Sequence, residues 1–131
     1  MAITRLQDLS ALPTRVKFDK PTNSTLHHEP AAATDAVNTL SASDTTADEA
    51  WVLREVAWSY DLTPSGGSLT ISDGTLTWKL DITGAGPNSF QFDPPVKFAA
   101  DTTVTITLAS GGTGVSGVLS TIGSCWIEKA Q

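Results

Sequence analysis

One cysteine, two histidines and eight basic side chains in 131 residues leave little from which to build chemistry. Cys125 has no second cysteine to pair with and lies in an apolar stretch, where a small buried side chain is its ordinary role, so redox chemistry is not expected. No run approaches the roughly 18 uninterrupted apolar residues of a membrane-spanning helix, and the opening Met-Ala-Ile-Thr-Arg lacks the basic-then-apolar layout of a secretion signal. The chain therefore reads as made in the cytoplasm and without a membrane partner, and the sequon-like Asn23-Ser24-Thr25 carries little meaning. Residues 1–20 hold four basic and two acidic groups, a net of +2, whereas the rest hold four basic and twelve acidic, a net of −8. No Lys or Arg cluster follows Lys20, so a phosphate backbone has nothing to grip and nucleic acid is not an expected partner.

The same scarcity removes most catalytic sites. His27-His28-Glu29 is the one cluster of metal-ligand types, but neighbours in an extended chain point opposite ways and there is no third histidine, so no zinc site is expected within one subunit. A nucleophile with a rigid base fails on inventory. Glu55, Asp61, Asp81 and Asp93 are scattered over strand exteriors and turns, where carboxylates keep a sheet soluble; Asp44, Asp48 and Glu49 match no calcium loop; and Ser110-Gly111-Gly112-Thr113-Gly114 lacks the Lys-Ser/Thr ending of a phosphate loop. No cofactor, metal or enzymatic activity is expected.

What the sequence does have is alternation. At 40% hydrophobic and 17% charged residues it suits one soluble domain with an appendage. Thr102-Thr-Val-Thr-Ile-Thr-Leu108 puts Val104, Ile106 and Leu108 on one face and Thr103, Thr105 and Thr107 on the other. Similar short strands are expected over about 51–60, 67–72, 75–82, 89–92, 96–99, 102–109 and 117–127. The turns between them include Pro64-Ser-Gly-Gly67, Asp93-Pro-Pro95 and Asp73-Gly74, the last suited to a type I′ hairpin. An eighth strand over 36–42 competes with a short helix over 34–40. Eight strands at about ten-residue spacing imply an all-β fold, a single antiparallel β-sandwich of jelly-roll or immunoglobulin-like type. The expected core is Leu69, Ile71, Trp78, Leu80, Ile82, Phe90, Phe92, Val104, Ile106, Leu108, Val118 and Ile122.

Residues 1–30 break the pattern, ahead of a sandwich domain over 31–131. With Pro13, Pro21 and Pro30 and dispersed apolar residues they read as an extended N-terminal arm, too short of apolar content to form a core. Ile3, Leu6, Leu9, Leu12, Val16 and Phe18, with Arg5 and Arg15, are the candidate partner-binding residues of that arm. Trp51, Trp58 and Trp126 form a second candidate site, a stacking platform for a glycan, while Trp78 shares a face with Leu76 and Leu80 and reads as core.

The series Trp58-Ser-Tyr60, Pro64-Ser-Gly-Gly67-Ser-Leu69, Asp81-Ile82, Ala85-Gly-Pro87, Phe90-x-Phe92-x-Pro94 and Val104-Thr-Ile-Thr-Leu108, with its glycines through Gly117, resembles small β-sandwich proteins of tailed phages and prophages, many of them virion components. The resemblance covers about residues 31–128 and implies a virion structural module with no catalytic residues. With the arm, it points to a capsid decoration or cement protein on the capsid exterior, bound to the major capsid protein and to itself as a homotrimer. A glycan-binding host-attachment module of a head or tail fibre, or a neck or tail component, are the alternatives.

Overall fold

A computed structural model describes residues 26–130 of the protein, together with the backbone of residues 15–17. Ten strands are present among them: β1 (Arg15–Lys17), β2 (His27–His28), β3 (Ala36–Leu40), β4 (Glu49–Tyr60), β5 (Ser68–Ser72), β6 (Thr77–Asp81), β7 (Gly86–Lys97), β8 (Val104–Leu108), β9 (Gly117–Ser120) and β10 (Cys125–Lys129). They form two antiparallel sheets packed as a sandwich, the expected all-β class. The first sheet runs β3-β8-β5-β6. In the second, β4 is the long central strand, with β7 along one edge and β9 and β10 along the other.

Alternation does what it should in the first sheet. Val104, Ile106 and Leu108 are buried, and Thr105 and Thr107 face out. The outward row Thr39, Thr105, Ser72, Thr77 crosses all four strands in register, as does Val37, Thr107, Thr70, Lys79. Small β-branched hydroxyl side chains suit that half-covered surface.

Strands β9 and β10 are one strand interrupted. Ala57 pairs with Ser120 and Leu53 with Cys125, so the two registers along β4 differ by a single residue. Residues 121–124 loop out between them, closed by hydrogen bonds from Ser124 N to the Thr121 carbonyl (3.0 Å) and from Arg54 N to the Ser124 carbonyl (2.8 Å). This corrects two expected core residues. Leu119 is the buried residue of β9, which turns Val118 to the outer face, and Ile122 sits on the looped-out segment, 40% exposed.

Two expected turns also differ. Asp93-Pro-Pro95 does not separate two strands. It is a bulge within β7, where residues 92–95 lie opposite Arg54 alone, and an edge strand tolerates prolines because their missing N–H groups are not needed by a neighbour. The β5–β6 hairpin pairs Ser72 with Thr77 and has a four-residue loop rather than the two-residue type I′ turn. Its cause is the Asp73 carboxylate, which accepts from the amides of Leu76 (2.7 Å) and Thr75 (2.9 Å), and these two bonds hold its pKa below the ordinary carboxylate value. The lengthened loop leaves Leu76 outside the strand and 73% exposed.

The division at residue 30 is not where the sandwich begins. Leu26 is 2% exposed within the core. Its carbonyl accepts from Asn38 Nδ2 (3.0 Å) and Thr121 N (2.8 Å), with Thr121 Oγ1 at 3.4 Å. Strand β2 continues from it along β9, and the Nδ1 of His28 accepts the N–H of Val37 at 2.9 Å, so β2 seals that side of the sandwich against β3. Strand β1 pairs in the same column with β10, Arg15 opposite Glu128. The column completes the edge of the second sheet.

At the opposite end from the β5–β6 loop, Tyr60 ties the sheets together. Its ring is buried and its hydroxyl donates to the Ala109 carbonyl at 2.5 Å. Burial raises the phenol's pKa above its usual value, because ionisation would place charge in the core. A folded-state pKa raised above the unfolded one gives stability that is complete below about pH 10 and is lost as pH climbs through the folded value. Tyr60→Phe is expected to cost about 1 kcal/mol at pH 7, since it orphans a carbonyl. In urea titrations the gap between the two proteins narrows above pH 10; a gap constant to pH 11 contradicts this account.

Candidate functional site

The two sides of the sandwich are finished differently. One is sealed by β2. On the other, edge strands β6 and β7 face each other, and their inward side chains are only half covered because no further strand among the described residues lies beyond them. Trp78 from β6 meets Phe90 and Phe92 from β7, with ring centroids 5.1 Å and 5.8 Å away, and Phe90 and Phe92 are 5.0 Å apart. These tilted and edge-on contacts are the favoured aromatic geometries. The three rings plug the middle of the side.

Towards the end that carries the β5–β6 loop, the plug gives way to an open cleft of about 210 Å³. Ile71, Leu76, Trp78, Phe92, Val96 and Phe98 line it, with Asp73 at its border. The β7 bulge places both Phe92 and Val96 towards this space, on either side of the Pro94-Pro95 pair. Among the described residues the only carboxylate on the lining, Asp73, is already bonded to the loop amides, and the other lining side chains offer apolar contact. Sequence reasoning missed it. Alternation predicts Trp78, Phe90 and Phe92 in the core, whereas in the structure they pack against it and remain partly exposed. The legible signal was position: β6 carries Lys79 and Asp81 and β7 carries three prolines, the residues of edge strands.

The glycan platform does not assemble from its three candidates. Trp51 is 1% exposed and Trp58 is 5% exposed, both pointing between the sheets, and Trp51 Nε1 donates to the Ser41 carbonyl at 2.8 Å. The reason is the phase of β4, which turns Trp51, Leu53, Val56, Trp58 and Tyr60 inward around an irregularity at Arg54. Trp126 alone is on the outer surface. Its indole N–H donates to Glu128 at 2.6 Å, and Glu128 pairs with Lys97 at 3.4 Å.

Of the arm candidates, Arg15 and Val16 belong to β1; Ile3, Arg5, Leu6, Leu9, Leu12 and Phe18 lie outside the described residues. The polar clusters serve the fold. His27 Nε2 is 2.5 Å from Glu29, and His28 is engaged with Val37. Asp48 accepts from Thr46 Oγ1 at 2.7 Å, and that bond, with Lys129 nearby, lowers its pKa. Glu49 accepts from Thr46 N, Asp35 from Ser110 N and Asp61 from Ser116 N. No group of three or more metal-ligating side chains occurs among the described residues. Cys125 is buried, its Sγ 3.6 Å from the Thr121 carbonyl. Gly111 is a packing residue, since a Cβ there would lie 2.6 Å from Val115 Cγ1 and 3.1 Å from Tyr60 Cδ1. No helix among the described residues is long and apolar enough to cross a membrane.

No family model and no curated protein matches the chain. Among solved structures, it overlays on a virus-like particle of the extra small virus of the giant freshwater prawn Macrobrachium rosenbergii with 10% identity and a TM-score of 0.35, covering 90% of this chain and 87% of that one. A ruminal GH26 endo-β-1,4-mannanase gives 9% identity and 0.39, over 92% of this chain but 21% of that one. A pentameric capsid protein from metagenomic phage sequences gives 16% and 0.35, over 91% and 75%. Overlays this loose assign neither a family nor a role.

Proposed function

We propose that this chain is a structural protein of a phage virion, and within that class a capsid decoration protein that sits on the outer lattice of the major capsid protein as a homotrimer and stabilises the head. Two features support the reading. The ordered series of turns and strands between residues 58 and 117 resembles virion β-sandwich proteins. The observation that carries it is the distribution of chemistry over the fold: the polar clusters are tied to their own turns, while an apolar cleft and an apolar arm remain for contact with protein. The proposed contact residues of the arm are Ile3, Arg5, Leu6, Leu9, Leu12 and Phe18. The acidic body, net −8 over residues 21–131, suits an exterior position away from packaged nucleic acid.

Copy number tests this directly. Quantitative gels of purified particles are expected to give copies in a fixed ratio to major capsid subunits, with density spread over the lattice in image reconstruction. Capsids made without the protein are expected to expand normally and release DNA at a lower temperature. A few copies confined to one vertex or strung along the tail contradict decoration and favour a neck or tail component, and binding on a glycan array through Trp126 favours host attachment.

A further inference from the structure

We propose that the cleft between β6 and β7 is the receptor for residues 1–14 of a second copy of this chain, so that subunits join arm into cleft. The inference rests on the assembly reading above only in taking the arm as a contact segment.

The exit point of the arm is fixed by β1. Arg15 lies opposite Glu128 and Lys17 opposite Ile127, so the N-terminal end of β1 points towards the last residues of β10. That is the end of the sandwich where β4 begins, where β7 finishes, and where the β5–β6 loop and Phe98 form the mouth of the cleft. Exit and receptor are therefore at one end, but on opposite edges of the second sheet, with β10 and β4 between β1 and β7. Pro13 biases Leu12 towards extended backbone, a conformation suited to reaching a neighbouring subunit. Fourteen extended residues reach about 46 Å, ample to meet a neighbouring subunit.

The chemistry of the two parts matches. Ile3, Leu6, Leu9 and Leu12 supply branched aliphatic side chains, and an apolar cavity of about 150 Å³ already takes a benzene-sized guest, so 210 Å³ accommodates one or two of them. Arg5 and Asp8 are the only charged side chains of residues 1–14, so the arm is close to neutral and meets the cleft through its apolar residues. Leu76, 73% exposed at the rim, becomes covered in the assembled state. Because arm and cleft are different surfaces, the contact is head-to-tail, and it builds a ring where the rotation between subunits closes.

Three full-length proteins test it by light scattering at micromolar concentration: wild type, the arm variant Leu6→Asp with Leu9→Asp, and the cleft variant Leu76→Asp. Leu76 is outside the core, so its replacement leaves the fold intact, checked by an unchanged thermal transition. Wild type is expected at two or more times the 13.7 kDa subunit mass, and each variant alone at the subunit mass. An equimolar mixture of the variants is expected to form a 1:1 dimer, because one supplies an intact arm and the other an intact cleft. A monomeric wild type, or a mixture that stays monomeric, overturns the proposal. A wild type that is monomeric yet decorates particles in full number overturns this contact while leaving the virion reading standing.

Discussion

Trp51→Ala is expected to remove about 3–5 kcal/mol of stability, a large part of what holds a domain of this size, and Trp126→Ala only about 0.2–1 kcal/mol. The contrast follows from position. Trp51 is 1% exposed, packed in the main core cluster, and its indole N–H holds the Ser41 carbonyl at the head of the β3–β4 connection. Truncation leaves a cavity and an orphaned carbonyl together, and the second loss adds to the first. Trp126 is paired opposite Val52 on the outer face and keeps one side to solvent. Urea denaturation at neutral pH measures both. Equal and small effects contradict the inward placement of Trp51 and return it to the surface as a stacking residue.

Leu26→Ala is expected to cost about 2–5 kcal/mol, with Leu26→Met below about 1.5 kcal/mol. A residue of the supposed arm has this effect because its side chain fills the core and its carbonyl holds Asn38 and Thr121. The Oδ1 of buried Asn38 has no partner among the described residues, so Asn38 relies on its single bond to Leu26. Amide exchange separates local from global loss: the Thr121 and Val37 amides, held by Leu26 and His28, are expected to exchange faster in Leu26→Ala than those of β8. Uniform acceleration across all strands contradicts a local anchoring role.

Where one face of a strand is covered and the other is wet, the residue pattern was enough. Strand β8 and the inward Leu69 and Ile71 of β5 sit as their alternation demands, and the two-sheet architecture follows from the number of such strands. Where the ladder is irregular, period two misleads, because each extra residue inverts every side chain after it. Strand β4 is of this kind, its inward set passing from Trp51 and Leu53 to Val56, Trp58 and Tyr60. Residues 121–124 and 92–95 instead leave the ladder, which accounts for Ile122 and the misplaced turn at Asp93, while Val118 faces out because Leu119, Cys125 and Ile127 share the buried phase. The cleft was illegible for another reason. It is a gap between two edge strands, and a sequence shows which residues are apolar but not which have nothing beyond them. The inward turn of Trp51 and Trp58 was legible in principle from Leu53 and Tyr60 on either side, had the irregularity at Arg54 been known.

The edge column of β1 and β2 pairs with β10 and β9, the last strands of the chain. During synthesis β1 and β2 have no strand to pair with until β9 and β10 have followed. Every contact that seats Leu26 between Asn38 and Thr121 closes a loop of 95 residues on the Thr121 side. Non-local closure of this length is slow. Strands β1 and β2 thus stay unpaired until β9 and β10 have been made, and the second sheet is completed late.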